Sequence, residues 1–357
     1  MERFVDGTGT FTIWVRSKVP VPSDRKTLTT KLDHKTDHKT CVKLDLLRVA
    51  GARHYMLRKI KMLRRNTLWC VAVLVLLCLA SFAAIGWVGS ERSLHPEYHR
   101  YEWSLATFPD LDPEHIQVRS VDNVLLEGRF FRGAHSSLVI LASGYGDTQD
   151  QMLSITEFLH RAGFSVLTYN SRARVPSGGR YVTLGSLEQK DVLSVVNYAA
   201  GRSDVDANRI GILGISMGGA SAIMAAAKDK RIRAVVDDSG FSDGPRVIAT
   251  AFEHFVHLPA FPFAPITVAI ADWRAGIDIT RVRPVDVIAE ISPRPLLIIH
   301  DQGDPVALAD NSLRNFAAAG LPKQLWLVPG SGHADAQIIA KSQYQSRVTS
   351  FFEAALR

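Results

Sequence analysis

The pentapeptide GISMG at residues 214–218 places a serine, Ser216, between a buried-strand pattern and a helix of small residues. At a tight strand-to-helix turn the serine backbone is strained and its hydroxyl is exposed, while the flanking glycines leave room for neighbouring backbone. The start of the helix also offers free N–H groups and its positive dipole end to an oxyanion. The pattern therefore predicts a nucleophile elbow. A glycine-rich junction or a phosphate-binding turn is the alternative interpretation.

A serine hydroxyl needs a base to remove its proton and a carboxylate to orient that base. Both are expected downstream, on loops that follow later strands. The apolar strand 295–300 is followed by Asp304, the candidate carboxylate, with Asp301 as its rival. The strand 324–328 is followed by a glycine-rich loop that carries His333, the candidate base. The chain order Ser216, Asp304, His333 predicts a catalytic triad.

Two backbone N–H groups are the predicted oxyanion-hole donors. One belongs to Met217, directly after the nucleophile, and the other to Tyr145, in the sequence SGYG at residues 143–146. Glycine in a loop after an early strand lets backbone N–H groups turn toward a substrate. An ordinary glycine turn is the alternative for this second loop.

The elements that position these residues alternate between strand and helix. A hairpin is predicted over residues 115–131. Further strands are predicted at 138–142, 164–169, 209–215, 234–238, 295–300 and 324–328, and helices at 150–162, 187–200, 217–228, 306–319 and 336–355. This alternation predicts an α/β fold, a doubly wound and mainly parallel sheet that carries ligands at the carboxyl ends of its strands.

An insertion at about residues 241–292 is predicted to form a short helical lid. It is rich in proline and in the aromatic residues Phe252, Phe255, Phe261, Phe263 and Trp273. Such a lid suits apolar acyl substrates. The aromatic residues could instead pack in the insertion's own core or touch a bilayer. His254 and His257 are spaced for one helix face, but no third ligand lies nearby, so no metal site is predicted.

Taken together, these motifs resemble the α/β-hydrolase superfamily over about residues 115–356. The strongest match is residues 214–219. Residues 169–179, 185–191 and 235–243 look like the dienelactone-hydrolase-like and prolyl-oligopeptidase-like branch. The resemblance implies the α/β-hydrolase fold and serine hydrolase chemistry through an acyl-enzyme. The superfamily usually has His-Gly at the oxyanion loop, where this chain has Ser143 and Gly144.

The N-terminal part has a different character. Residues 1–67 hold 16 Lys and Arg against 6 Asp and Glu, so the net charge of +7 belongs to this end, and a nucleic-acid role for the folded part is disfavoured. Residues 68–88 form an apolar run long enough to span a bilayer, and the basic residues before it predict a cytoplasmic N-terminus. A cleavable signal peptide with its apolar region at 68–79 is the alternative.

The predicted domains are a basic, disordered segment (1–66), a transmembrane helix or signal anchor (67–89), a linker (90–114) and the hydrolase domain (115–357). The exported part has no cysteine, so no disulfide is expected there. The chain has no G-x-G-x-x-G or Walker A motif to support a nucleotide, and no cofactor is expected. The sequence predicts a membrane-anchored serine hydrolase that faces the periplasm or cell exterior and cleaves an ester or similar acyl bond. The predicted partner is a small-molecule acyl substrate, with a lipid-like molecule as one option. An acyltransferase, a peptidase and a noncatalytic scaffold on the same fold remain alternatives.

Overall fold

A computed structural model describes residues 38–99, 101, 103–257, 259–330 and 332–356. The chain divides into two units, Met1–Val73 and Leu74–Arg357. The first helix, α1, is His38–Leu94, so the prediction of disorder is wrong for residues 38–66. The reason is that residues 41–66 lack proline and are rich in Leu, Lys and Arg, which favour helix and let it extend from the apolar run. The same prediction for residues 1–37 lies outside the described residues.

One eight-stranded sheet forms the centre of the second unit, in the order β1-β2-β4-β3-β5-β6-β7-β8. The strands are β1 Glu114–Arg119, β2 Leu125–Phe131, β3 Leu138–Ala142, β4 Ser165–Tyr169, β5 Ile210–Ile215, β6 Ile232–Asp238, β7 Leu296–Asp301 and β8 Lys323–Val328. β1 and β2 are antiparallel neighbours, β2 is antiparallel to β4, and all other pairs are parallel. The predicted hairpin and the mainly parallel sheet are both confirmed.

Helices cover both faces of the sheet. The remaining helices are α2 Leu153–Arg161, α3 Glu188–Ala200, α4 Met217–Lys228, α5 Gly244–Val256, α6 Ala260–Ala275, α7 Pro284–Val287, α8 Asp310–Ala318, α9 Ala336–Ile339 and α10 Lys341–Leu356, with 3-10 turns at Leu105–Thr107, Gln149–Met152, Ile279–Arg281 and Ile288–Ile291. One core cluster packs α3 and α4 against the sheet, and a second packs α2 and α10 against its other face. β3, β4 and β5 are buried along their whole length, as strands covered on both faces must be.

The structure departs from the predicted elements mainly at loop boundaries. The helix expected from residue 306 begins at Asp310, and the N–H groups of Val306 and Ala307 ahead of it donate to the side chain of Asp304. The final helix is two helices, α9 and α10, separated at Ala340. The predicted lid contains α5 and α6 as its two longer helices.

Candidate active site

Ser216 lies between β5 and α4 in a backbone conformation that few L residues adopt, with φ 53° and ψ −115°. Such a conformation costs free energy and is retained only where the surroundings impose it. Here the Ser216 N–H donates to the carbonyl of Asp238 at 2.8 Å, and the Ser216 carbonyl accepts from the Ala220 N–H at 3.1 Å. The predicted strand-turn-helix context of the serine is therefore present.

The glycines around Ser216 are required by close contacts between backbone segments. A Cβ on Gly214 would lie 2.2 Å from the carbonyl carbon of Gly218, and a Cβ on Gly218 would lie 2.1 Å from the carbonyl oxygen of Ala142. Real side chains do not reach such distances. The GISMG spacing thus allows the elbow to press against the end of β3.

His333 follows β8 and lies next to the serine. Its Nε2 is 2.9 Å from Ser216 Oγ, and its Nδ1 is 2.6 Å from Asp304 Oδ2. Burial disfavours the charged imidazole, but the hydrogen bond and negative charge of Asp304 outweigh burial and raise the pKa of His333 above its usual value. Because the imidazole is held between an acceptor and a hydroxyl, the neutral ring is suited to accept the serine proton.

Asp304 is only 2% exposed, and its carboxylate is held on both oxygens. Oδ2 faces His333, while Oδ1 accepts hydrogen bonds from the N–H groups of Val306 at 2.8 Å and Ala307 at 2.9 Å. The rival carboxylate, Asp301, accepts instead from the N–H of Asp335 at 2.8 Å. The structure thus brings together Ser216, His333 and Asp304 and places Asp301 in a supporting position.

The two proposed oxyanion donors lie on the expected elements. Met217 is the first residue of α4, and Tyr145 is in the loop after β3. Neither backbone N–H makes a hydrogen bond within the part of the chain that the structure describes. N–H groups at the start of a helix have no intrahelical acceptor, so the amide of Met217 remains available to an anion.

Gln151 and Asp147 support the oxyanion loop, and neither was predicted from the sequence. Gln151 Oε1 accepts from the Gly144 N–H at 2.8 Å, and Gln151 Nε2 donates to Asp147 Oδ2 at 2.8 Å. Asp147 Oδ1 in turn accepts from the Tyr101 hydroxyl at 2.6 Å. These bonds hold the loop where the superfamily usually has a histidine. No periodicity or motif in this polar stretch could have identified them.

Part of the segment predicted as a linker contacts the oxyanion loop. The Tyr145 hydroxyl donates to the carbonyl of Ser93 at 2.6 Å, and Val182 N–H donates to the carbonyl of Leu94 at 3.0 Å. Arg174 Nη1 donates to the carbonyl of Pro96 at 3.0 Å. The last turn of α1 and the residues after it therefore lie against the oxyanion loop, and the linker prediction is wrong for this part.

The lid aromatics divide between the interior and the surface. Phe252 is buried at 8% exposure, whereas Phe255, Phe261 and Trp273 are 65%, 80% and 75% exposed. Packing within the insertion's own core therefore accounts for only one of these four. Among the described residues, no group of three or more His, Cys, Asp or Glu side chains is arranged to hold a metal ion.

A family model described as X-Pro dipeptidyl-peptidase (S15 family) matches residues 98–260, which include Ser216 but neither Asp304 nor His333. A 31.7 kDa protein of Escherichia coli from the traX-finO intergenic region is 32% identical over 109 residues, which are 30% of this chain and 38% of that protein. The protein YfhR of Escherichia coli O157:H7 is 26% identical over 231 residues, which are 62% of this chain and 74% of YfhR.

Among solved structures, the esterase Pf2001 of Pyrococcus furiosus superposes with a TM-score of 0.64 at 22% sequence identity. The superposition covers 74% of this chain and 99% of the esterase. At this level of identity the likeness establishes a shared fold.

Proposed function

We propose that this chain, which has the α/β-hydrolase fold, is a membrane-anchored serine hydrolase that cleaves an ester or similar acyl bond through an acyl-enzyme. The observation that carries the proposal is the continuous hydrogen-bonded series from Ser216 Oγ through His333 to Asp304. Serine, base and orienting carboxylate at hydrogen-bonding distance are the components that acyl transfer requires. The match to a peptidase family model and the esterase neighbour support a hydrolase in the broad sense.

In the proposed mechanism, His333 Nε2 removes the proton of Ser216 Oγ as the oxygen attacks the acyl carbon. Asp304 keeps the Nδ1 proton of His333 in place, so that Nε2 is free to accept, and stabilises the imidazolium that forms. The N–H groups of Met217 and Tyr145 bind the oxyanion. His333 then protonates the leaving group. In the second half a water molecule, deprotonated by His333, attacks the acyl-enzyme and releases the acid and the serine.

The anchoring part of the proposal depends on α1. Residues Val49–Leu94 contain a stretch long and apolar enough to cross a membrane, and apolar side chains along it, such as Leu74, Leu76 and Leu79, are about 60% exposed. The basic residues before the apolar run favour a cytoplasmic N-terminus, with the catalytic unit on the other side. The region of the alternative signal cleavage site, residues 81–83, is helical and continues without a break to Leu94, which favours a retained anchor.

A peptidase is a second candidate, because the matching family model describes an X-Pro dipeptidyl-peptidase. An ester remains the preferred substrate because the solved structure that shares this fold, Pf2001, is an esterase. Comparing turnover of a chromogenic acyl ester with that of an X-Pro peptide amide separates the two. Adding an alcohol acceptor and analysing the products detects acyl transfer.

Labelling of the detergent-solubilised full chain by a fluorophosphonate tests the nucleophile. We expect labelling of the wild type and loss of labelling in Ser216→Ala and His333→Ala. Ser136→Ala is a matched control, because Ser136 is exposed and lies before the N-terminal end of β3, whereas Ser216 follows the C-terminal end of β5. A folded wild type that does not react, or equal labelling of Ser216→Ala, would contradict the proposal.

A further inference from the structure

We propose that α5 and α6, here called the lid helices, insert into the same membrane leaflet from which α1 emerges and form a second contact with the bilayer. This inference rests on the proposed anchoring by α1. It assigns the lid a lipid partner, a role separate from the chemistry at Ser216.

The sequence of the lid helices is apolar over a membrane-relevant length. Residues 254–271 contain no Asp, Glu, Lys or Arg. The two helices are joined at a bend of 115°. Val256, close to this bend, is 47% exposed, and Phe261 just after it is 80% exposed. In water such a cluster of large apolar side chains is unfavourable, so it indicates a partner that is itself apolar.

The contacts between α6 and the end of α1 define how deep the lid helices lie. The rings of Phe82 and Phe263 are 5.5 Å apart. A Cβ on Gly86 would lie 2.5 Å from Ile266 Cγ2, so the two helices approach closely over a glycine. Glycine at a helix contact is typical of helices packed within a membrane.

The C-terminal end of α6 contacts the last turns of α1. Arg274 Nη1 donates to Ser90 Oγ at 2.8 Å, and the guanidinium lies 4.6 Å from the centre of the Trp87 ring. Arg274 also pairs with Glu91. Because contacts advance from Phe82 with Phe263 to Glu91 with Arg274, the two helices run in the same direction.

This register places the start of α6 below the membrane surface. Phe82 precedes Val88, the last residue of the apolar run, by six positions, which corresponds to about 9 Å along a helix. Phe263, its partner, therefore lies at acyl-chain depth, with exposed Phe261 beside it. Arg274 and Trp273 are at the level where α1 becomes polar, and tryptophan and arginine are suited to that interface.

Both helices carry side chains suited to the membrane interface at this depth. Trp87 is 50% exposed on α1, and Trp273 is 75% exposed on α6. The charged residues Glu91 and Arg274 neutralise each other at the same height. The aromatic and charged side chains thus mark one plane, and the uncharged part of α6 lies on the bilayer side of it.

Depth-dependent fluorescence quenching of the full chain tests the proposal. The three cysteines, Cys41, Cys70 and Cys78, are replaced by alanine, and single variants Phe261→Cys, Leu76→Cys and Ser136→Cys are labelled with an environment-sensitive NBD fluorophore. Each protein is reconstituted into phosphatidylcholine vesicles with and without lipids that carry a nitroxide on the acyl chain. Leu76 reports the anchor, and Ser136 reports the aqueous side of the domain.

We expect the fluorophores at residues 261 and 76 both to be quenched, and the one at residue 136 to be unaffected. Quenching at 76 without quenching at 261 would overturn the proposal. So would an apolar but unquenched environment at 261, which would show that a second copy of the chain or the active site covers the phenylalanine. Absence of quenching at both positions would refute the anchoring as well. Fluorophosphonate labelling in the same vesicles tests the proposed hydrolase function separately from the quenching result.

Discussion

Replacing Asp304 by asparagine tests the proposed triad most directly, because the surroundings of this residue fix how the new side chain must turn. Oδ1 of Asp304 accepts from two backbone N–H groups, those of Val306 and Ala307. An asparagine keeps its oxygen on these donors, since its NH2 group cannot accept from them. The NH2 group then faces Nδ1 of His333.

This orientation reverses the tautomer of the histidine. With a donor opposite Nδ1, the neutral ring carries its proton on Nε2, the atom 2.9 Å from Ser216 Oγ, and it can no longer accept the serine proton. The loss expected for a wrong tautomer is about 10⁴-fold in kcat. This corresponds to about 5.4 kcal/mol of transition-state stabilisation. The fold is retained because both backbone hydrogen bonds survive.

The assay is the initial rate on a chromogenic ester, with circular dichroism to confirm folding. Asp301→Asn is the matched control, since Asp301 lies three residues earlier, accepts from the Asp335 N–H and makes no hydrogen bond to His333 among the described residues. We expect this control to keep its kcat within about tenfold of the wild type, because an asparagine retains the oxygen that accepts this bond. A folded Asp304→Asn enzyme with a tenth or more of the wild-type kcat, or an equal loss in Asp301→Asn, would refute the reasoning.

Three further predictions concern the elbow, the base and a buried acid. Gly218→Ala places a Cβ 2.1 Å from the Ala142 carbonyl oxygen, so we expect loss of esterase activity and a lower melting temperature, whereas Gly178→Ala, with 3.4 Å to its nearest neighbour, should retain both. The pKa of His333 is raised, so kcat/KM measured from pH 5 to 9 should fall as pH decreases through a value above 6.5; a midpoint below 6.5 would contradict this. Burial raises the pKa of Asp237 to about 7, above the pKa of the same carboxyl in the unfolded chain. The contribution of this carboxyl to the free energy of unfolding is therefore largest in acid, where it is protonated, and is lost as the pH rises to 7. Denaturant unfolding should therefore show wild-type stability falling relative to Asp237→Asn by up to about 1.4 kcal/mol per pH unit between pH 4 and 7, and parallel curves would show that the group does not titrate this way.

Local sequence patterns were sufficient to predict the sheet and the elbow, because burial of a strand and close packing of a helix both determine the types of residue that they contain. The strand at 138–142 is buried along its whole length, so it is a continuous apolar run, and the structure gives it the predicted bounds. The helix at 217–228 is likewise placed as predicted, because its small residues must fit closely against the sheet. Ser216, Asp304 and His333 could be predicted as candidates because each follows a strand that can be recognised.

Contacts between distant and polar segments were not predictable in this way. Asp147 and Tyr101 are 46 positions apart and have no shared pattern, yet their hydrogen bond supports the oxyanion loop. Nothing in residues 90–103 distinguishes a free linker from a segment packed on a site, since the difference lies in partners that only the fold supplies. The start of α1 at His38 was missed because helix propagation from a neighbouring apolar run is not visible in the polar residues themselves.

The hydrogen bond from Tyr145 to the carbonyl of Ser93 affects more than the shape of one loop. Leu94, the last residue of α1, is 2% exposed, so the helix ends inside the domain and leaves no flexible joint. If the apolar run is retained in a membrane, residues 74–94 of α1, which belong to the same unit as the domain, would change orientation together with it. The direction that Ser216 faces relative to the membrane would then depend on the tilt of this helical segment, because the buried Leu94 leaves no flexible joint between the segment and the domain.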